Sequence, residues 1–203
     1  MIKRTDKEER FVKWVKKQCR KYGVKVRLKN VKYLRLSGNI RCSGYFDDAT
    51  SDSPTLVVAM NRRDWVEILV HEYCHLTQWL DQESIWTKAG DSLPLIDEWL
   101  SGVEVPDIEK HLGVVRDLEL DNEKRSVALM RKWNLDVDIG LYIQKANAYI
   151  QFYNYLGKTR RWSNPVNAPY GNETIRNAMP ADFSMNYKKM GKRLEKLFEN
   201  ENI

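Results

Sequence analysis

Two histidines and a glutamate in Leu69-Val-His-Glu-Tyr-Cys-His-Leu-Thr-Gln-Trp79 stand at the spacing H-E-x-x-H. Residues four apart on a helix lie one turn apart on the same face, so His71 and His75 can present two imidazole nitrogens to one metal ion. Glu72 sits about 100° round the same helix, which lets it address a water on the ion rather than the ion itself. Zinc suits such a pair: it accepts imidazole and carboxylate in four-coordinate geometry and keeps one position for water in catalytic sites. The ion lowers the pKa of that water, and Glu72 takes its proton during attack on a carbonyl. The expected chemistry is zinc-dependent hydrolysis of an amide. The same pattern would also suit two hydrogen-bonded histidines on a buried helix. Against that, it uses two of the three histidines in the chain and follows an apolar, strand-like run.

A third protein ligand is needed, and the best placed is Glu119 in Arg116-Asp-Leu-Glu-Leu-Asp-Asn-Glu-Lys-Arg125. Glu119 and Glu123 are four apart on a predicted helix and can face the same way. Glu119 would bind zinc, and Glu123 would accept the remaining N–H of a ligating histidine, which fixes its tautomer. The reverse assignment, Glu123 on the metal, stays open, as does a solvated acidic patch beside Lys124 and Arg125. Two rivals are weaker. Asp81 lies six residues after His75, but a ligand that close needs a sharp turn off the helix, and position 78 is Gln rather than Gly. His111, eight residues before Glu119, is better placed to approach a substrate.

The elements that must position these residues follow from periodicity. Residues 5–22 read as a helix closed by Gly23. Three strand-like stretches follow: Val24–Leu36, Ile40–Phe46 after a turn at Ser37-Gly38-Asn39, and the apolar Thr55–Met60, with a breaker-rich segment at 47–54. The metal-site helix is expected over 62–80. Residues 81–105 read as irregular, with at most a turn of helix at 95–100. Long helices are expected over 107–133 and 138–156, an extended loop over 157–180, and a last helix over 181–199. The order predicts an α+β fold. It is drawn as one domain over 1–156, with 157–203 as a loop and C-terminal helix packed on it.

Composition bounds the partners. The chain has 203 residues and 42% apolar content, enough for a packed core. Three cysteines without a framework suit a reduced, cytosolic setting. The charged N-terminal run does not read as a signal peptide, and no apolar run is long enough to span a membrane. Residues 1–36 hold 14 Lys+Arg and 3 Asp+Glu, whereas the remainder carries a net charge of −5. A basic leading segment on an acidic body suits contact with nucleic acid, and equally a solvated helix face with an exposed strand. That segment supports an alternative function: a non-catalytic zinc protein binding nucleic acid or another partner. Glu72 argues against it, since a structural zinc site needs no general base.

At these residues the chain resembles the zincin metallopeptidases, specifically the gluzincin branch, whose third ligand is a Glu on a following helix. The Glu119-x-x-x-Glu123 pair is similar to that branch's E-x-x-x-D element, with Glu in place of Asp. The combination HEYCH, LELDNEKRSV and YIQKANAYI also resembles uncharacterised metallopeptidases encoded by tailed bacteriophages. The resemblance implies a zincin-like strand–helix–helix scaffold, a zinc cofactor, a peptide or protein substrate and, for a phage protein, the host cytoplasm. It further implies that Thr55–Met60 is the sheet strand above the cleft with which an extended peptide pairs, although the run suits a buried core strand too. Related enzymes stabilise the oxyanion with a Tyr or His. The candidates are Tyr142, Tyr149 and Tyr153, on one predicted helix face, and His111, although an aromatic stripe at helical spacing is more commonly packed core.

Overall fold

The computed structural model describes residues 4–36, 41–48, 53–81, 84–164 and 166–203. The expected turn at Ser37-Gly38-Asn39, residues 49–52 of the breaker-rich segment and Pro165 lie outside the described residues. The fold is α+β and mostly helical, with seven helices and a small sheet among the described residues. Contact density divides it into two compact units. The first comprises Met1–Asp81 and Arg125–Val137; the second comprises Gln82–Lys124 and Asp138–Ile203.

In the first unit, helix α1 (Asp6–Lys21) opens with a capping box. The Thr5 side chain accepts from the Glu8 backbone N–H, and the Glu8 carboxylate accepts from the Thr5 N–H. Gly23, at φ 71°, turns the chain out of the helix into β1 (Lys25–Lys29). A hairpin follows, β2 (Leu34–Arg35) with β3 (Arg41–Cys42), then β4 (Gly44–Asp47) and β5 (Thr55–Ala59).

The main sheet has the order β1-β5-β4, with β1 parallel and β4 antiparallel to β5. All five residues of β5 are buried. This corrects the expectation that Thr55–Met60 offers an edge to a peptide. Both of its edges are already paired, and the apolar run Leu56–Ala59, without polar alternation, belongs in the middle of a sheet. Among the described residues, β1 and β4 are the outer strands of this sheet.

Helix α2 (Trp65–Leu80) packs on β4 and β5. Trp65, Leu69, Cys74 and Leu76 on it are almost fully buried. Phe11 and Trp14 of α1 close the unit through ring contacts at 5.1–5.9 Å, made with each other, with Tyr73 of α2 and with Trp133 near the end of α4 (Ile108–Trp133). The division between the units falls within α4, between Lys124 and Arg125.

The second unit holds α3 (Ser84–Leu100), the first part of α4, α5 (Ile139–Thr159), α6 (Glu173–Asn177) and α7 (Lys192–Asn200). Helix α3 corrects the reading of 81–105 as irregular. Ala89, Ser92, Ile96 and Trp99 are buried at spacings of three, four and three, and this packing outweighs the two breakers. Pro94 cannot donate to residue 90, and its ring would crowd that carbonyl; position 90 is a glycine, the residue that yields most readily.

The expected helix over 181–199 is also corrected: only Lys192–Asn200 is helical. The chain from 179 to 187 runs as a strap whose carbonyls accept hydrogen bonds from a row of amides on α5. Gln144 donates to Met179, Asn147 to Pro180 and Asp182, Gln151 to Asn186, and Asn154 to Tyr187. These bonds satisfy a backbone that would otherwise close its own helix.

Candidate metal centre

The site is built from α2 upward. Its N-terminal end is anchored by Arg62, which pairs with Asp64 at 2.5 and 2.7 Å and also bonds Ser43. At its C-terminal end Arg125 bonds Asp81 at 2.5 Å and Thr77 at 3.3 Å. Asp81, the rival third ligand, is thus half exposed and engaged by an arginine.

His71 and His75 face one another across the turn, with ring planes at 87° and Nε2 atoms 3.0 Å apart. His75 Nδ1 lies 2.9 Å from Gln78 Oε1. An amide oxygen only accepts, so this contact places the proton of His75 on Nδ1 and leaves the Nε2 lone pair toward His71. Burial, then the charge of His71, hold the His75 pKa well below the usual value, which favours the neutral ring. A metal-ligating imidazole has this form.

Glu72 is buried, with 7% exposure. Gly44 of β4 lies directly against it: a Cβ on residue 44 would come within 2.9 Å of the Glu72 Cγ and Oε1 and within 2.7 Å of Ile68 Cγ2. The glycine is what allows the strand to approach the helix so closely. The carboxylate also sits near Cys42, whose thiol pKa is raised by burial and then by the Glu72 charge.

The ligand atoms of His71, His75 and Glu119 all lie within 4.8 Å of one another, forming a group that can hold a metal ion. The donor set, two imidazoles and one carboxylate, is of the kind that zinc accepts. Glu119 is on α4. On the same unit, the Tyr149 and Tyr153 hydroxyls of α5 are 2.9 Å apart. Burial raises both phenol pKa values, and the Glu119 charge adds to the effect.

The other sequence candidates are placed as follows. Glu123 is buried and lies outside the ligand group. For His75, the role of N–H acceptor foreseen for Glu123 is filled by Gln78. His111 bonds Ser92 at 3.1 Å, about 12 Å along α4 from Glu119 at 1.5 Å per residue. Tyr142 is buried. Two contributors escaped the sequence reading, Gln78 and Gly44. The first was detectable, since it stands three residues after His75 and so shares its helix face.

Protein-family models, curated proteins and solved structures were all compared with this chain, and none matches it. No helix among the described residues is long and apolar enough to cross a membrane.

Proposed function

We propose that the protein is a zinc-dependent hydrolase of the zincin type that cleaves an amide bond in a peptide or protein. The observation that carries this reading is the convergence of two imidazoles and one carboxylate within 4.8 Å, with Glu72 one residue from His71 on the same helix. His71, His75 and Glu119 would hold the zinc ion, which would supply Lewis acidity to polarise a carbonyl and ease deprotonation of a water. Glu72 takes the proton of the attacking water and delivers it to the leaving nitrogen. Its buried position beside Gly44 keeps the carboxylate in one orientation for both transfers. Of the oxyanion candidates, the Tyr149–Tyr153 pair is the one in the field of Glu119, and a hydroxyl of that pair would donate to the oxyanion.

Strand β4 is the sheet edge that lies against Glu72, through Gly44. An extended peptide pairing with β4 brings a backbone carbonyl toward that carboxylate. The test is Glu72→Gln, assayed by hydrolysis of a mixed quenched-peptide library together with zinc analysis. The variant should keep fold and zinc and lose turnover by at least about a hundredfold. Hydrolysis that survives the change would sink the assignment.

A further inference from the structure

We propose that the cationic face formed by β1 and the β2–β3 hairpin binds a nucleic acid through its phosphates. The inference does not depend on the hydrolase reading.

From Arg10 to Phe46 the sequence has twelve Lys and Arg and no Asp or Glu. All twelve side chains are exposed. None of them pairs with a carboxylate among the described residues. On β1, Lys25, Arg27 and Lys29 alternate with half-buried Val26 and Leu28, so the three charges project from one face at about 6.6 Å intervals. The register places Arg27 beside Val57 and Lys29 beside Ala59. Leu34 of the hairpin packs on those same two residues. The hairpin therefore covers the sheet face from which the β1 row projects.

On the hairpin, Arg35 and Arg41 are directly opposed in the antiparallel ladder. Like charges in that position destabilise a strand pair. The Arg41 guanidinium is stacked 4.5 Å from the Tyr33 ring centroid, which holds it in place. The phenol of Tyr33 has a lowered pKa, through its bond to Arg35 and then the charges of Arg41 and Arg35, consistent with concentrated positive potential. A lysine on an edge strand is explained by avoidance of strand-to-strand aggregation. Opposed arginines on a separate hairpin are not. They are relieved by an anion that accepts from both, and guanidinium groups match phosphate oxygens in geometry as well as charge. Rows of cations at strand spacing ask for a partner whose charge repeats regularly, which a phosphodiester backbone provides.

The test uses the full chain and a labelled 20-nucleotide DNA, single-stranded or duplex, followed by fluorescence anisotropy at 50 and 200 mM NaCl. With about four phosphate contacts to a single strand, affinity should fall roughly 50-fold between the two salts. The variant Arg35→Gln/Arg41→Gln should lose about two contacts' worth of salt dependence, with an unchanged or raised Tm. Lys188→Gln/Lys189→Gln, in the second unit, should bind as the parent does. Absence of binding at 50 mM salt overturns the proposal, as does parent-like binding by the arginine variant. Equal affinity for polyglutamate or for phosphatidylserine vesicles would also overturn it, by assigning the face to an acidic protein or a lipid surface.

Discussion

Gln78 Oε1 lies 2.9 Å from His75 Nδ1, within one helix and with the amide fully buried. An amide oxygen in that position asks for the His75 proton on Nδ1, which leaves Nε2 for a metal. Gln78→Leu removes the acceptor at nearly constant volume. Groups that orient a ligating imidazole typically contribute 10- to 100-fold to metal affinity. We expect a loss of about that size in zinc competition against a chromophoric chelator, and partial rescue in Gln78→Glu, which restores an acceptor. Unchanged affinity in the leucine variant would remove Gln78 from the site.

The choice between Glu119 and Glu123 is settled by removing each carboxylate. Glu119→Ala should abolish stoichiometric zinc, because two imidazoles alone leave the ion without its third protein ligand. Glu123→Ala should keep zinc bound, although loss of a buried side chain lowers Tm. Metal content of the two purified variants is the measurement, and the opposite pattern would place Glu123 on the ion.

Gly44 makes a separate prediction, because it concerns Glu72, the proposed general base, and leaves the proposed ligands alone. A methyl group at this position meets Glu72 and Ile68 at 2.7–2.9 Å, closer than packed atoms approach. Gly44→Ala should cost about 1–3 kcal/mol through overpacking. For a chain of this length that is roughly 2–4 °C in Tm for each kcal/mol. Zinc should remain bound while hydrolysis falls, since the displaced group is Glu72. Parallel loss of zinc and turnover would show that the strand positions the ligands instead.

Much of this architecture was legible in the residues, for identifiable reasons. The helices carrying His71 and Glu119 have long apolar stripes at three–four spacing, and α1 announces its start through Thr5 and Glu8. The segments misread are those where tertiary contacts replace local rules. Gly90 and Pro94 look like breakers until Ala89, Ile96 and Trp99 are seen to be buried. Likewise, the unbroken apolar run of β5 suits a buried central strand, unlike the alternating β1, and it is the pairing with β1 and β4 that shows it to be one. At the candidate site, the spacing of His71 and His75 was visible because it is periodic along one helix. The approach of Gly44 to Glu72 was not, because it joins elements some 28 residues apart.

Alkaline pH should weaken the first unit. Cys19 is fully buried, and burial pushes its thiol pKa from about 9 to about 12; the phenol of Tyr73 is raised too, again chiefly by burial. Both groups are neutral when protonated. Above about pH 9 the unfolded chain releases the Cys19 proton while the folded chain keeps it. The unfolded state then binds fewer protons, so stability falls as pH rises from about 9 to about 12. Urea midpoints should decline across that window, and Cys19→Ala should flatten part of the decline. Native Cys19 should also resist iodoacetamide at pH 8, as a buried and protonated thiol.

Asn147 gives the sharpest prediction for the second unit. Its amide nitrogen donates to the carbonyls of Pro180 and Asp182 at 2.9 Å, and its oxygen accepts from the Tyr187 hydroxyl at 2.7 Å. The residue has no exposed surface, and Tyr187 is buried as well. Asn147→Ala therefore leaves one buried hydroxyl and two carbonyls to find new partners. Each net hydrogen bond contributes roughly 1 kcal/mol, and an unsatisfied buried group costs more, so a loss of about 2–4 kcal/mol is expected from urea unfolding. Loss of the bonds should also free the strap, since its backbone makes them in place of a helix's own. Trypsin should then cut faster at the exposed Lys188 and Lys189 under native conditions. Asn147→Asp retains an acceptor for Tyr187 but no amide donors, so it should protect the tyrosine contact and still release the strap. A strap as resistant in both variants as in the parent would mean that the amide row does not hold it.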